Sequence, residues 1–208
     1  MQTIEQLAAH RVIPVVVLQE AAHAAPLAAA LVQGGLPVAE ITFRTAAAEE
    51  SIRIMARRGD VLVGAGTVVT VEQVDRAVAA GATFIVSPGT SLPVVRRCQQ
   101  LGVAVIPGAV TATEVMTLLD EGITTIKFFP AGTSGGPKAI AALSAPFGGV
   151  SFIPTGGIGP DNLRTYLDLP AVIAAGGSWM VPSNLVAAGD TAAVAQVCAE
   201  ATRLAHAG

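Results

Sequence analysis

Short apolar runs rich in β-branched residues recur along the chain, separated by alanine-rich stretches whose apolar positions return at helical spacing. Eight such runs read as strands: Arg11 to Leu18, Val38 to Arg44, Leu62 to Val68, Phe84 to Pro88, Val103 to Pro107, Thr125 to Pro130, Ser151 to Thr155 and Ala171 to Ala175. Ala21 to Gln33, Ala46 to Arg58 and Val71 to Ala80 are clear helical stretches between them. Gly34-Gly35 and Gly81 read as helix stops, and Ser91 and Thr111 as N-caps. Ile4 to Ala9 is left over as a short N-terminal helix. Apolar strands alternating with amphipathic helices indicate a parallel sheet covered by helices. Eight units of about 25 residues nearly consume the 208 residues, which predicts a small (β/α)8 TIM barrel. An open, doubly wound sheet is the competing arrangement. No linker, charge run or low-complexity tract divides the chain, so residues 1–208 are expected to form one domain.

Composition narrows the function classes. The chain is 52% hydrophobic and 13% charged, with a formal net charge of −3. It is too apolar for disorder, and it lacks the basic stripe that nucleic-acid binding requires. Met1-Gln2-Thr3-Ile4-Glu5 does not read as a signal peptide, and Gly, Pro or charge interrupts every apolar run before membrane-spanning length. A cytoplasmic protein with no membrane or nucleic-acid partner is expected. Cys98 and Cys198 have no metal-ligand spacing and read as small reduced thiols. His10, His23 and His206 all miss the strand ends, so no catalytic metal is expected.

Barrel chemistry gathers at the carboxyl ends of the strands. Two lysines accompany ten arginines, and one of them, Lys127, falls within Thr125-Ile126-Lys127-Phe128-Phe129-Pro130. Burial penalises the charged form of an amine and so favours the neutral nucleophile that attacks carbonyls. Pairing with a carboxylate for purely structural reasons is the plainer alternative. Lys138, after Gly135-Gly136-Pro137, reads as a solvated helix start. Glu40, Thr42 and Arg44 are spaced two apart and share one strand face. There Glu40 can shuttle protons and Arg44 can fork onto a carboxylate, unless the two merely plug the barrel as an ion pair. Phe129 shares a face with Lys127, whereas Phe128 points towards the helices as core.

Gly64-Ala65-Gly66-Thr67 is weak as a dinucleotide signal because Val69 stands where a third glycine belongs; backbone crowding is the expected reason for its glycines. Thr67 offers a hydroxyl, and Ser87-Pro88-Gly89 and Pro107-Gly108 form rigid rims. Pro154-Thr155-Gly156-Gly157-Ile158 and Gly176-Gly177-Ser178-Trp179 end the last two strands, where open backbone can receive an anion such as phosphate. Ligand-free tight turns would read the same way. Trp179 reads as packing. No Gly-x-Ser-x-Gly elbow or P-loop is present, since Gly132 to Lys138 has the wrong glycine spacing.

Taken in order along the chain, Glu40-Ile41-Thr42-Phe43-Arg44-Thr45, Gly64-Ala65-Gly66-Thr67-Val68, Ser87-Pro88-Gly89, Ile126-Lys127-Phe128-Phe129-Pro130-Ala131, Pro154-Thr155-Gly156-Gly157-Ile158 and Gly177-Ser178-Trp179 resemble the 2-keto-3-deoxy-6-phosphogluconate (KDPG) and 4-hydroxy-2-oxoglutarate aldolases. The resemblance implies a metal-independent, cofactor-free (β/α)8 barrel, commonly a homotrimer, acting on a small 2-oxo-acid phosphosugar. It further implies Lys127 as the Schiff-base lysine and Glu40 as general acid/base. Arg44 and Thr67 would bind the pyruvyl carboxylate, Pro88 and Phe129 would shape its pocket, and Thr155, Gly156, Gly157 and Ser178 would face the distal phosphate. Some relatives carry an arginine near the end of the first strand, where this chain has Val17. An unphosphorylated 2-oxo acid, a phosphosugar epimerase and a non-catalytic trimeric scaffold are the competing functions.

Overall fold

A computed structural model of the chain describes residues 3–207; the terminal reading that rests on Met1 and Gln2 lies outside them. The strands are β1 (Val12–Val16), β2 (Val38–Thr42), β3 (Leu62–Gly66), β4 (Phe84–Val86), β5 (Ala104–Ile106), β6 (Thr125–Phe128), β7 (Ser151–Pro154) and β8 (Ala175–Gly177). Six of them form a curled parallel half-barrel in the order β5-β4-β3-β2-β1-β8, while β6 and β7 form a separate two-stranded parallel sheet. A complete eight-stranded ladder is therefore not what the hydrogen bonds describe. The two sheets meet at single parallel bridges: Gly108 with Lys127 on one side, and Phe152 with Val172 and Thr155 with Gly176 on the other.

Most ladders stop short of the expected carboxyl ends. Phe43 and Arg44 lie beyond β2, Thr67 beyond β3, Pro88 beyond β4, Phe129 beyond β6 and Thr155 beyond β7, all in the turns that lead to helices. Arg11 is not in β1: at φ 62° it ends the N-terminal helix, Thr3–His10. The eighth strand is shifted from Ala171–Ala175 to Ala175–Gly177. Its expected first half is held by a turn, Val172 N–H donating to Leu169 O at 2.9 Å, and only Ala175 onward registers against Val12, Ile13 and Pro14.

Helix starts follow their local chemistry. Thr70 and Thr111 each close a capping box, with Gln73 and Glu114 respectively, at the heads of the helices Val71–Ala79 and Ala112–Asp120. Asp190 caps the C-terminal helix Thr191–His206 through Ala193 N–H at 3.0 Å. Ser91 sits at the N-cap of Leu92–Leu101 but accepts no capping bond; Pro93 stands in the first turn of that helix. Gly59 and Gly102 close two helices in the left-handed region that a Cβ disfavours.

The core lies between the strands and their helices. Phe128 is fully buried and meets Phe152 edge-on, with ring centroids 6.3 Å apart and planes at 87°. Cys98 and Cys198 are buried thiols, each pushed up to about 12 by burial, so neither presents a thiolate near neutral pH. Among the described residues, no helix is long and apolar enough to cross a membrane.

Truncating Phe152 to Ala should empty one half of the aromatic pair. Chemical denaturation is expected to show a loss of about 3–5 kcal/mol with an unchanged m-value. A loss below about 1 kcal/mol would mean that the two-stranded sheet is not packed as described.

Candidate active site

Two side chains from distant strands meet inside the fold. Lys127 is on β6 and Glu40 on β2, and Lys127 Nζ donates to Glu40 Oε1 at 3.1 Å. Both residues are buried, at 5% and 4% exposure. The alternation that places Lys127 on the interior turns Ile126 and Phe128 towards the helices. Just past the ladder, the Phe129 ring lies 5.3 Å from Lys127 Nζ, giving the amine an aromatic wall.

Removing this amine and carboxylate from water is expensive, and their mutual attraction repays that cost only in part. Among the surrounding ion pairs, Glu49, Glu121 and Glu200 are held below the usual carboxylate range by hydrogen bonds from arginines, but these sit on outer helices in contact with solvent. The Lys127–Glu40 pair is the interior one.

A second pairing frames the mouth. Arg44 Nε donates to Thr67 Oγ1 at 3.3 Å. Thr67 adopts φ 56°, a conformation that β-branched residues rarely accept. Its energetic cost, of order 1–3 kcal/mol, is incurred where the hydroxyl meets the guanidinium, which is where strain accompanies function. Arg44 also lines the adjoining cavity.

That cavity, of about 220 Å³, is lined by Arg44, Phe129, Thr155, Gly156, Gly157 and Ser178, together with Val15, Val17, Ile158 and Gly177. It gathers six of the expected site residues, Arg44 and Phe129 beside the four from the last two strand ends. Arg44 is the one charged residue in this lining. Gly156 at φ 97° and Gly157 at φ 75° turn in succession through the left-handed region, so the loop needs glycine and its backbone is left bare. Asn162 braces the loop, donating to Gly157 O and accepting from Gly159 N–H, both at 2.9 Å. Val17, 39% exposed, contributes an aliphatic surface.

Pro88 does not join this group. It lines a shallow cleft with Val68, Val69, Ser87, Gly89, Thr90 and Ser91, and its carbonyl packs tightly on Gly108. Lys138 is exposed in the first turn of the helix Gly136–Ser144. Among the described residues, no group of three or more His, Cys, Asp or Glu could hold a metal ion.

Gly64 and Gly66 are required by side chains across the sheet, which corrects the expectation of backbone crowding. A Cβ on Gly64 would lie 2.4 Å from the Phe84 ring, and one on Gly66 would lie 2.2 Å from Glu40 Oε1. Side chains of neighbouring strands, not crowded backbone, require these glycines. Gly176 likewise makes room for Thr155, whose Oγ1 would be 2.4 Å from an added Cβ. The available signal was glycine at two-residue spacing in a strand next to one bearing an interior acid.

A curled parallel α/β sheet with an interior amine paired to a carboxylate, beside a cavity whose one charged lining residue is arginine, suits lysine-dependent carbon–carbon lyase chemistry. The family model described as KDPG and KHG aldolase matches residues 3–197, and the chain belongs to that family. It is 51% identical over 187 residues to the 2-dehydro-3-deoxy-phosphogluconate aldolase of Treponema pallidum (strain Nichols), covering 89% of each chain. It is 43% identical over 191 residues to the KHG/KDPG aldolase of Escherichia coli (strain K12), covering 91% of this chain and 90% of the relative. The solved KDPG aldolase from Legionella pneumophila, with pyruvate captured as a covalent carbinolamine, superposes with a TM-score of 0.92 at 39% identity, covering 96% of this chain and 98% of the other.

Lys127→Met alone should strand the buried Glu40 carboxylate and destabilise the fold by about 3 kcal/mol, whereas Lys127→Met with Glu40→Leu should recover most of that loss. Equilibrium unfolding of the single and double variants checks this. Equal losses in both would mean that the two groups do not share an interior partnership.

Proposed function

We propose that the protein is a class I aldolase that reversibly cleaves KDPG to pyruvate and glyceraldehyde 3-phosphate. The observation that carries this reading is the buried contact of 3.1 Å between Lys127 Nζ and Glu40 Oε1, beside a cavity whose one charged lining residue is Arg44. The single bridges across both seams of the sheet support a closed (β/α)8 barrel formed by one domain, 1–208. A cytoplasmic homotrimer is the proposed assembly, with exposed Met116 and Val69 offering apolar surface that a second copy can cover.

The steps follow from these groups. Lys127 passes a proton to Glu40, and its free amine attacks C2 of the substrate to give a carbinolamine. Glu40 gives that proton to the departing hydroxyl and returns to the carboxylate, and loss of water leaves a protonated imine, which serves as an electron sink. Glu40, directly or through a water, takes the proton of the C4 hydroxyl. The C3–C4 bond then breaks, its electron pair moves to the imine nitrogen, and an enamine and the aldehyde result. Returning the proton to C3 gives the pyruvyl imine, whose hydrolysis restores the amine and releases pyruvate.

Arg44, held by Thr67, forks onto the substrate carboxylate and fixes C2 near the amine. Phe129 excludes water from the other side of the amine. Thr155, Gly156, Gly157 and Ser178 receive the distal phosphate through neutral donors. Pro88 is proposed to act only from behind Gly108, as part of the rim.

Because no charged side chain other than Arg44 lines this cavity, a second substrate is also favoured. An unphosphorylated 2-oxo acid such as 4-hydroxy-2-oxoglutarate would use the same amine chemistry without needing the phosphate loop. A scaffold would gain nothing from a buried amine–carboxylate pair, and an epimerase reading leaves that pair unexplained.

Coupled assay of pyruvate release should show KDPG cleavage that persists in chelator and disappears in Lys127→Arg. Glu40→Gln should slow turnover by about 10²–10⁴-fold, and Arg44→Lys should raise KM by about tenfold or more through loss of the bidentate contact. No release of pyruvate from either substrate, or undiminished release in Lys127→Arg, would refute the proposal.

A further inference from the structure

The carboxylate in the interior pair is aimed from two sides, and one of them is an absence. β3 runs beside β2 with Glu40 opposite Gly64 and Thr42 opposite Gly66. A Cβ on Gly66 would fall 2.2 Å from Oε1, 2.6 Å from Cγ and 2.7 Å from Cδ of Glu40, so the acid's side chain occupies the space that any other residue at 66 would fill. Gly66 is not among the left-handed glycines, so its backbone conformation does not demand glycine. Nor is β3 free to withdraw at this point, because Gly66 O accepts Phe43 N–H at 2.8 Å. The crowded oxygen, Oε1, is the one that accepts from Lys127 Nζ.

We infer, on the basis of the aldolase assignment proposed above, that Gly66 is a positioning residue whose missing side chain seats the Glu40 carboxylate against Lys127. Its successor Thr67, in its strained left-handed conformation, holds Arg44. Two consecutive residues at the end of β3 thus orient the proton carrier and the carboxylate clamp, and Gly66 is not among the residues that line the cavity. A methyl group at 66 would push the Glu40 carboxylate off the amine while leaving Lys127, Arg44 and the cavity in place. Proton transfer at carbon, where nothing replaces a directed acid, would then fail before imine formation, in which water can take the amine's proton in place of Glu40.

The test uses the full-length protein and pyruvate alone. Deuterium exchange at the pyruvate methyl reads proton transfer at carbon, and inactivation by pyruvate with borohydride reads imine formation. Wild-type protein is measured first; if it shows neither reaction, the aldolase assignment itself fails. Given a competent wild type, Gly66→Ala should lose about 100-fold or more in exchange while its rate of inactivation stays within about threefold. In a Glu40→Ala background, where the space is empty, adding Gly66→Ala should change exchange no further, a coupling that only neighbouring groups show. Near-normal exchange in Gly66→Ala, equal loss of both reactions, or additive effects of the two substitutions would overturn the inference. If Gly66→Ala does not fold, the double variant decides. Recovery of folding on removal of Glu40 supports the clash, and continued failure refutes it.

Discussion

A positive and a negative group share one oxygen–nitrogen contact in the interior of this fold, and the surrounding architecture serves to keep them there. Lys127 and Glu40 come from different sheets, so their approach at 3.1 Å depends on the curvature that brings β2 and β6 face to face. Burial of such a pair is poor value for stability, since well-packed apolar residues would do at least as well. What the pair does supply is a route for the proton that an amine must lose before it can act as a nucleophile. The aromatic wall of Phe129 and the strained Thr67 beneath Arg44 are further departures from the most stable choice, and all lie at the same end of the strands.

Much of this was legible in the sequence because interior polar residues stand out against apolar strands. Lys127 is conspicuous in Thr125-Ile126-Lys127-Phe128, and period-two spacing put Glu40 on an inward face. The strand ends were harder. Phe43, Arg44, Thr67, Pro88, Phe129 and Thr155 continue an apolar or β-branched pattern and so read as strand, yet the ladder has already ended there. Apolar periodicity reports burial, which persists into the turns, whereas pairing stops where the chain leaves for its helix. The eighth strand was displaced for the converse reason, because Gly176 and Gly177 lack the side chains by which a strand is recognised.

Distances across the fold were hidden as well. Nothing in the order of residues shows that the Pro88 carbonyl packs against Gly108, or that Pro88 lines a cleft separate from the cavity that holds Arg44 and Phe129. The purpose of Gly66 was equally invisible, because a residue that acts by leaving room has no chemistry of its own. Fold and family were thus readable from motifs in register, while the roles of the small residues required the packing.

The chemistry of the cavity follows from the same geometry. Its lining combines a guanidinium braced by a hydroxyl with bare backbone at Gly156-Gly157, Thr155, Ser178 and aliphatic Val17. A cationic clamp for the carboxylate and neutral donors for the tail are what a short 2-oxo acid with a variable far end requires.

The central claim is that one interior amine, and not the exposed one, forms the covalent bond to substrate. Peptide mapping by mass spectrometry after reduction in the presence of pyruvate tests it most directly. The expected result is one added carboxyethyl group per chain, located on the peptide that carries Lys127. An adduct on Lys138, or a chain that leaves the treatment unmodified, would contradict it.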